Sequence, residues 1–451
     1  MSTQPTRPLV QIASYNTNLQ AERGLPQDLV DWLAPTLQVS SFLARERRAP
    51  DIFAVGFQEL LPLHLGLSGL SKSVIESRNA LILSQIEKHA PNGERYTLIA
   101  KVVNVGVALL VYGRDDSVGR RACDVQTQWT SCGPLYMGNK GAVGVRFRVP
   151  GEDGGLGEVY TFVCAHLTAH APKLASRIQD YNHIVGSLLF PPLPSSSSSA
   201  PTTMFATSHL FFFGDLNFRL SLPPTHEFAS RAQLPHLVEA LATEDGRAAL
   251  KEHDQLLIER DVKGTVFHGM REGEFWRFKC SYKYRLGKVD EYDPKRMPAW
   301  TDRIMYATHA DSPDEPQTSS ITNVLYTTIP SYTTSDHKPI VSLLLLPPPS
   351  PSPPPISSIA SSTTPPSPSP SPSIPLLRLP SDFHPTPDPW ARAKRYTGRT
   401  LDRLVGYCWW LLTMLGAGSA LVGLGQLVLS LGVWRWWRAR EAGVGQDVLL
   451  P

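Results

Sequence analysis

Six separated positions carry acid, amide or imidazole side chains at the ends of predicted strands. They are Asn16, Glu59, His166, Asp215 with Asn217, Asp302, and Asp336 with His337. Carboxylate and amide oxygens suit a hard cation such as Mg²⁺, which keeps open positions for water and phosphate. The two imidazoles can donate hydrogen bonds beside such a cation. The residue types therefore indicate a site for a metal ion, a water molecule and a phosphate group.

The segment LFFFGDLNFRL at residues 210–220 presents this pattern most clearly. Four apolar residues predict a strand buried on both faces, and Gly214 ends it just before the polar groups. Asp215 and Asn217 are two residues apart, so in extended geometry they point to the same side, where they could hold a water and an oxyanion. The plainer alternative is a strand that is followed by an Asx turn.

The elements that must position these groups alternate along the chain. Apolar runs predict strands, and apolar residues at helical spacing predict helices between them. The predicted strands are 9–15, 51–57, 159–165, 210–213 and 341–346, with further strand runs over 95–112 and 126–149; the predicted helices are 28–48, 72–89, 173–189 and 226–260. The glycines of MGNKGAV at 137–143 permit a tight turn that exposes Lys140. This alternation predicts an α/β domain.

The composition of the 451-residue chain allows a large core, because 42% of the residues are hydrophobic. A net charge of +3 gives no argument for nucleic-acid binding. The five cysteines form no CxxC pair, which favours a reducing compartment over a disulfide framework or a zinc site. The N-terminus lacks the apolar stretch of a secretory signal, so a cytosolic location is expected for most of the chain.

The composition changes after residue 346, where the predicted catalytic domain 1–346 ends. Residues 347–391 are rich in Pro and Ser and predict a disordered, stiff linker. A basic juxtamembrane segment at 392–403 precedes residues 404–434, which carry no charge and are long enough for one transmembrane helix. A short tail, 435–451, follows this segment. Within the domain, the serine-rich residues 191–203 predict a low-complexity loop.

Six segments of the chain resemble the inositol polyphosphate 5-phosphatases, within the DNase I-like superfamily. They are GFQEL (56–60), MGNKGAVGVRF (137–147), HLTAH (166–170), GDLNFRL (214–220), PAWTDRIMY (298–306) and SDHKPI (335–340), in the order of that family. The resemblance covers nearly all of residues 9–346. It implies a four-layered α/β sandwich, in which two packed mixed sheets are flanked by helices.

The resemblance also implies roles for individual residues. The implied metal ligands for a single Mg²⁺ are Glu59 and Asn16, with Asp336 close to the metal or its waters. Asp215, assisted by Asn217, would orient and deprotonate the attacking water. Asp302 would hold the tautomer of His337, which donates to a phosphate oxygen, and His166 would donate from another side. The implied substrate-binding residues are Lys140, His170, Tyr282, Lys283, Lys295 and Arg296.

The predicted function is magnesium-dependent hydrolysis of the 5-phosphate of phosphoinositides at a membrane that faces the cytosol. The predicted location is the membrane of the endoplasmic reticulum, with a single-pass C-terminal anchor. No nucleic-acid partner is predicted. An SH3-like partner could bind the Pro-rich linker. The alternatives are another DNase I-like phosphodiesterase or nuclease, and an inactive membrane-tethered scaffold.

Overall fold

The computed structural model describes residues 7–20, 48–151, 154–193, 199–349, 374–414 and 428–438. Two six-stranded sheets form the centre of the described residues. Their strands are β1 Leu9–Asn16, β2 Ile52–Gln58, β3 Tyr96–Asn104, β4 Val107–Arg114, β5 Cys123–Ser131, β6 Gly141–Val149, β7 Glu158–His166, β8 His209–Asp215, β9 Arg271–Glu272, β10 Asp302–Thr308, β11 Thr322–Thr328 and β12 Ile340–Leu345. The first sheet has the order β11-β12-β1-β2-β4-β3, and the second has the order β5-β6-β7-β8-β10-β9.

Both sheets are mixed. The β1–β2 pair and the β7–β8 pair are parallel, and the other paired strands are antiparallel. The helices are α1 Leu63–Ser68, α2 Ser71–His89, α3 Leu174–Ser187, α4 Leu234–Ala242, α5 Glu244–Leu250, α6 Gln255–Leu257 and α7 Ala391–Met414, and residues 428–438 are also helical.

Three apolar clusters hold the layers together. One fills the space between the sheets and includes Val10, Phe162 and Phe213. A second joins α2 to the first sheet, and a third joins α3 to the second sheet. This arrangement confirms the predicted α/β fold with two packed mixed sheets and flanking helices. The predicted helix 28–48 lies, except for its last residue, outside the described residues.

The polar strand ends meet because of the strand directions. Parallel neighbours bring their carboxyl ends to the same edge of a sheet, which places Asn16 beside Gln58 in one sheet and His166 beside Asp215 in the other. β10 runs antiparallel to β8, so its first residue, Asp302, pairs with Asp215. The sandwich therefore collects the candidate residues at one end.

The prediction of a disordered linker over 347–391 is wrong for residues 374–390, because these residues pack on the domain. The backbone N–H of Leu377 donates to Thr207 O at 2.8 Å, and that of Asp388 donates to Gly186 O at 2.8 Å. The ring of Phe383 stacks on His268 with a centroid distance of 4.0 Å. These apolar side chains and hydrogen-bonded amides hold residues 374–390 against the domain. Composition alone does not reveal such contacts. Residues 350–373 lie outside the described part of the chain.

The basic segment 392–403 is also docked, as the first half of α7. Arg399 donates to Asn104 Oδ1 at 2.8 Å, and Arg403 donates to Leu67 O at 3.0 Å. At Gly398 and Gly406 the helix comes so close that an added Cβ would lie 1.7 Å from Tyr136 O and 2.4 Å from the backbone nitrogen of Ser68. The two glycines allow α7 to approach the domain backbone, so α7 belongs to the packed structure.

The predicted transmembrane segment 404–434 is described only in part, since residues 415–427 lie outside the described chain. No helix among the described residues has the length and hydropathy that crossing a membrane requires.

Asp402 of α7 gives a prediction about stability. Its Oδ1 accepts a hydrogen bond from the backbone N–H of Gly138 at 2.9 Å, and burial raises its pKa to about 6, although Arg399 and Arg403 oppose the rise. This value is above the ordinary ~3.9, so the contribution of Asp402 to stability is complete below pH ~4 and is lost as the pH rises through ~6. We expect Asp402→Asn, which keeps the acceptor, to raise the free energy of unfolding at pH 7.5 by on the order of 2 kcal/mol.

Urea denaturation at pH 7.5 and at pH 4 measures this difference, which should vanish at the lower pH. Asp382→Asn changes an exposed carboxylate and serves as the control. A variant Asp402→Asn that is less stable than the parent at pH 7.5 would contradict the expectation.

Candidate active site

Three side chains converge on one carboxylate oxygen of Asp215, at the end of β8. Asp215 Oδ2 accepts a hydrogen bond from Asn16 Nδ2 at 3.0 Å. The same oxygen lies 3.2 Å from His166 Nε2 and 3.9 Å from His337 Nε2. All four side chains are almost fully buried. Strands from both sheets thus build a polar centre at the edge of an apolar core.

His337 is held between two carboxylates. Its Nδ1 lies 2.9 Å from Asp302 Oδ2, while its Nε2 faces Asp215. Burial alone would lower the pKa of His337. The negative charges of Asp302 and, to a smaller extent, Asp215 outweigh burial and raise the pKa to about 9. His337 is therefore a cation at neutral pH, with a proton on Nε2 that can be donated to an anion.

Asp215 is held in its ionised form. Burial alone would raise its pKa, but the positive field of His337, the hydrogen bond from His166 and the charge of Lys140 lower the pKa well below its usual range. Burial followed by the charge of Lys140 lowers the pKa of His166. The centre therefore combines a carboxylate, a neutral imidazole and an imidazolium, which suits a polar reaction with developing negative charge.

Asp302 accepts hydrogen bonds from two hydroxyl groups that were not predicted from the sequence. Ser281 Oγ donates to Asp302 Oδ2 at 2.7 Å, and Thr301 Oγ1 donates to the same oxygen at 2.9 Å. Thr301 was visible in the PAWTDRI motif, beside Asp302. Ser281 had no such signal, because its contact with Asp302 spans 21 residues and depends on how the loop folds.

Asn217 is close to Asp215, but the predicted extended geometry is wrong. β8 ends at Asp215, and Asn217 has a φ of 57°. Its backbone N–H donates to Asp215 Oδ1 at 3.2 Å, whereas its side-chain Nδ2 donates to Leu167 O at 3.1 Å. The Asx-turn alternative is therefore the better description, and Asn217 supports Asp215 through its backbone.

Glu59 lies at the rim of this centre with a φ of 50°. One of its carboxylate oxygens is 3.8 Å from His166 Nε2, and the side chain is 31% exposed. Asn16 Oδ1 accepts from the backbone N–H of Asn18 at 3.0 Å and retains a second lone pair. The carboxylate of Glu59 and the amide oxygen of Asn16 are hard donors, which fit a cation such as Mg²⁺ or Ca²⁺.

The third predicted metal ligand, Asp336, is engaged elsewhere. Its Oδ2 accepts from Lys283 Nζ at 2.6 Å. Asp215, Asp302 and His337 also lie close enough together to form a metal site. Both nitrogens of His337 already face carboxylates, and its positive charge would repel a second cation. The contacts of these three residues therefore suit proton placement, and the hard donors Asn16 and Glu59 fit a cation better.

Two of the predicted substrate residues, Lys140 and Tyr282, contact the histidines of the centre. Lys140 is half-buried, which corrects its predicted exposure, because its Nζ contacts both ring nitrogens of His166. The ring of Tyr282 lies 4.6 Å from that of His337 and beneath the guanidinium of Arg219. Lys295 and Arg296 are exposed.

A cationic field surrounds His170. Partial burial lowers the pKa of His170, and Lys173, Arg219, Arg296 and Lys140 lower it further in that order. Arg219 lies in the segment 210–220, where the sequence indicated no role for it. Arg177, buried on α3, donates to the carbonyl oxygens of Thr168 and His170 and so fixes the loop after β7. A phosphorylated substrate would be attracted to this face.

Proteins with related sequences include an inositol 5-phosphatase. The chain is 31% identical to synaptojanin-2 of Homo sapiens over 284 residues, which are 62% of this chain and 17% of that protein. It is 29% identical to the type II inositol 1,4,5-trisphosphate 5-phosphatase of Mus musculus over 343 residues, which are 74% of this chain and 29% of the relative. The chain thus spans less than a third of the length of either curated relative.

A solved structure shows a similar fold. It is the inositol polyphosphate 5-phosphatase domain of SPsynaptojanin, in complex with inositol (1,4)-bisphosphate and a calcium ion. The TM-score is 0.58 at 26% identity, and the match covers 76% of this chain and 84% of that domain. The family model for endonuclease/exonuclease/phosphatase family 2 matches residues 13–343. The chain therefore belongs to the endonuclease/exonuclease/phosphatase family 2, and the relatives that it matches include inositol polyphosphate 5-phosphatases.

Proposed function

We propose that this protein is a Mg²⁺-dependent phosphatase that removes the 5-phosphate of phosphoinositides by direct attack of water. The observation that carries the proposal is the convergence of Asn16, His166 and His337 on Asp215 Oδ2. The relatives named as inositol 5-phosphatases support the substrate class. The calcium ion in the related domain supports dependence on a divalent cation.

The side chains divide the reaction between them. Asp215 accepts a hydrogen bond from the attacking water, fixes its direction and takes its proton as the new P–O bond forms. The bond between phosphorus and the inositol 5-oxygen breaks in the same step, and the leaving oxygen takes a proton from solvent water. His337, charged because of Asp302, donates from Nε2 to a phosphate oxygen. Glu59 and Asn16 would hold Mg²⁺, which would supply charge neutralisation at the scissile phosphate. Positioning and charge stabilisation are sufficient for phosphoryl transfer, so a covalent intermediate is unnecessary.

The direct test is release of inorganic phosphate from liposomes that contain phosphatidylinositol 4,5-bisphosphate, with and without Mg²⁺. We expect release that requires the cation and leaves the 4-phosphate on the product. Cleavage of abasic DNA in place of the lipid would favour a nuclease. Inactivity on lipids, soluble inositol phosphates and DNA would favour a membrane-tethered scaffold.

The proposal includes a membrane location. We infer that the uncharged residues 404–434 associate with a membrane, that of the endoplasmic reticulum, and that the catalytic domain faces the cytosol. The Pro-rich residues 350–373 are proposed to bind an SH3-like partner, because extended Pro-rich segments fit aromatic grooves at low entropic cost.

Recognition of the 4-phosphate gives a separate prediction. Arg296 is exposed on the rim and acts on His170 electrostatically, and Lys283 lies beside Asp336. We expect Arg296→Ala combined with Lys283→Ala to raise KM for 4,5-bisphosphorylated substrates by roughly 10-fold or more, since charge-assisted hydrogen bonds to phosphate would be lost.

KM is compared for substrates with and without the 4-phosphate. The control is Arg285→Ala, which removes an exposed arginine that pairs with Glu291. Equal increases in KM for the two substrates would show that these residues do not read the 4-phosphate.

A further inference from the structure

A cavity of about 1080 Å³ lies between α7 and the catalytic domain. Its inner end is polar and is lined by Asn139, Lys140 and His170. Its outer end is apolar and is lined by leucine and tryptophan side chains of the C-terminal helices. These outer residues are Leu404, Val405, Trp409, Leu429, Leu431 and Trp434. The cavity is therefore polar at one end and apolar at the other.

The polar end adjoins the active site. Lys140 lines the cavity, and its Nζ also contacts the imidazole of His166, which lies 3.2 Å from Asp215 Oδ2. Lys140 thus contacts both the cavity and the reacting centre. A substrate whose phosphate is bound at Asp215 and His337 would extend past Lys140 into the cavity.

The apolar end is held in place by specific contacts. The buried carboxylate of Asp402 accepts from Gly138 N in the same turn that carries Lys140. Gly406 brings α7 against the backbone of Leu67 and Ser68, and Arg438 Nη1 donates to Gln179 Oε1 at 2.9 Å. The C-terminal helices therefore form a fixed wall beside the site.

An amphiphile matches this arrangement. Ligand cavities typically measure ~300–1,000 Å³, so the volume here is sufficient for a large ligand. Soluble inositol phosphates are polar throughout and would gain nothing from Leu404 or Trp409. The outer wall also exposes apolar side chains, since Leu404 is 58% exposed and Leu429 is 70% exposed. Tryptophan side chains are typical of membrane interfaces, where one end of the ring is wet and the other apolar.

We propose that this cavity binds the glycerol and the first acyl segments of a phosphoinositide whose head group occupies the active site. This inference rests on the proposed function and deepens it, because it assigns the C-terminal helices to substrate binding. The helices would then select the lipid over the free inositol phosphate. Burial of acyl methylene groups against α7 provides the favourable free energy.

Two variants of the full-length protein test the cavity. Leu404→Gln makes the outer wall polar, and Cys408→Trp fills the space, since Cys408 lines the cavity and is exposed. The matched controls are Leu411→Gln and Tyr407→Trp, which change exposed residues of the same helix outside the lining. All proteins are assayed at one fixed detergent concentration. The substrates are monomeric dioctanoyl and dibutanoyl phosphatidylinositol 4,5-bisphosphate and soluble inositol 1,4,5-trisphosphate.

The quantity measured is kcat/KM for each lipid relative to that for the soluble substrate. We expect each cavity variant to lower this ratio for the dioctanoyl lipid by roughly 5- to 20-fold, because a Leu-sized apolar contact is lost or displaced. The dibutanoyl lipid should respond much less, and the controls should keep the ratio of the parent.

Two results would overturn the inference. Equal losses of kcat/KM on all three substrates would show that α7 acts only on the catalytic domain, and an unchanged kcat/KM on all three would show that the acyl chains bind elsewhere. A parent protein that hydrolyses none of the substrates would instead refute the proposed function itself.

Discussion

Replacement of His337 by alanine is expected to lower kcat by at least about 100-fold, within the roughly 10²- to 10⁴-fold range of positioned acid–base groups. The loss follows from its position between Asp302 Oδ2, 2.9 Å from Nδ1, and Asp215 Oδ2, 3.9 Å from Nε2. Asp215→Asn should have an effect of similar size, because it removes the carboxylate that orients the water. Steady-state kinetics on phosphatidylinositol 4,5-bisphosphate measures both variants.

Binding must be separated from turnover in this experiment. Sedimentation with substrate-containing vesicles should show that both variants still bind lipid, since neither side chain contributes to the C-terminal helices. The control is His236→Ala, which removes an exposed imidazole that lies on α4 and contacts Gln233. Wild-type rates in His337→Ala or Asp215→Asn would refute the assignment of this centre as the active site.

Arg303→Met is expected to lower the free energy of unfolding by about 3–5 kcal/mol. Arg303 is completely buried; its Nε and Nη2 each donate at 2.6 Å to Glu272, and its Nη1 donates at 2.8 Å to Asp254. Burial opposes the charge of the guanidinium, but Asp254 and Glu272 raise the pKa of Arg303 above its ordinary value. Removal of the cation would leave two buried carboxylates without their shared partner.

Urea denaturation followed by tryptophan fluorescence measures this loss. The matched control is Arg296→Met, which changes an exposed arginine and should leave the free energy of unfolding within about 0.5 kcal/mol of the parent. A stability of Arg303→Met close to that of the parent would show that Asp254 and Glu272 find other partners. In that case the arginine of the PAWTDRI motif would not be a structural cation.

The polar strand ends could be predicted because burial leaves a local signal. A strand that is covered on both faces needs an unbroken apolar run, so the change to polar residues after Phe213 and after Phe57 marks the edge of a sheet. Asn16, His166 and Asp215 were identified in this way. Asn217 shows the limit of the same reasoning, because alternation applies only while the strand continues, and β8 ends at Asp215.

Contacts between distant segments could not be predicted from such local signals. Ser281 reaches Asp302 only because a loop folds back, and Lys140 is half-buried only because the turn at 137–141 packs against His166. Among the described residues of 347–391, residues 347–349 and 374–390 contain no helix or strand, but the Pro/Ser composition gives no information about docking. Docking depends on a complementary surface elsewhere in the chain.

The sequence by itself determined the strand ends, the residue types of the site and the family resemblance, since apolar periodicity and short motifs are properties of neighbouring residues. The tertiary structure alone decided the support of Asp302 by Ser281, the buried contact of Asp402 with Gly138 across 264 positions, and the cavity beside Lys140. The physical reason is that burial and hydrogen-bond geometry depend on which distant surfaces meet. Their meeting is fixed by strand order and close packing, which no single segment encodes.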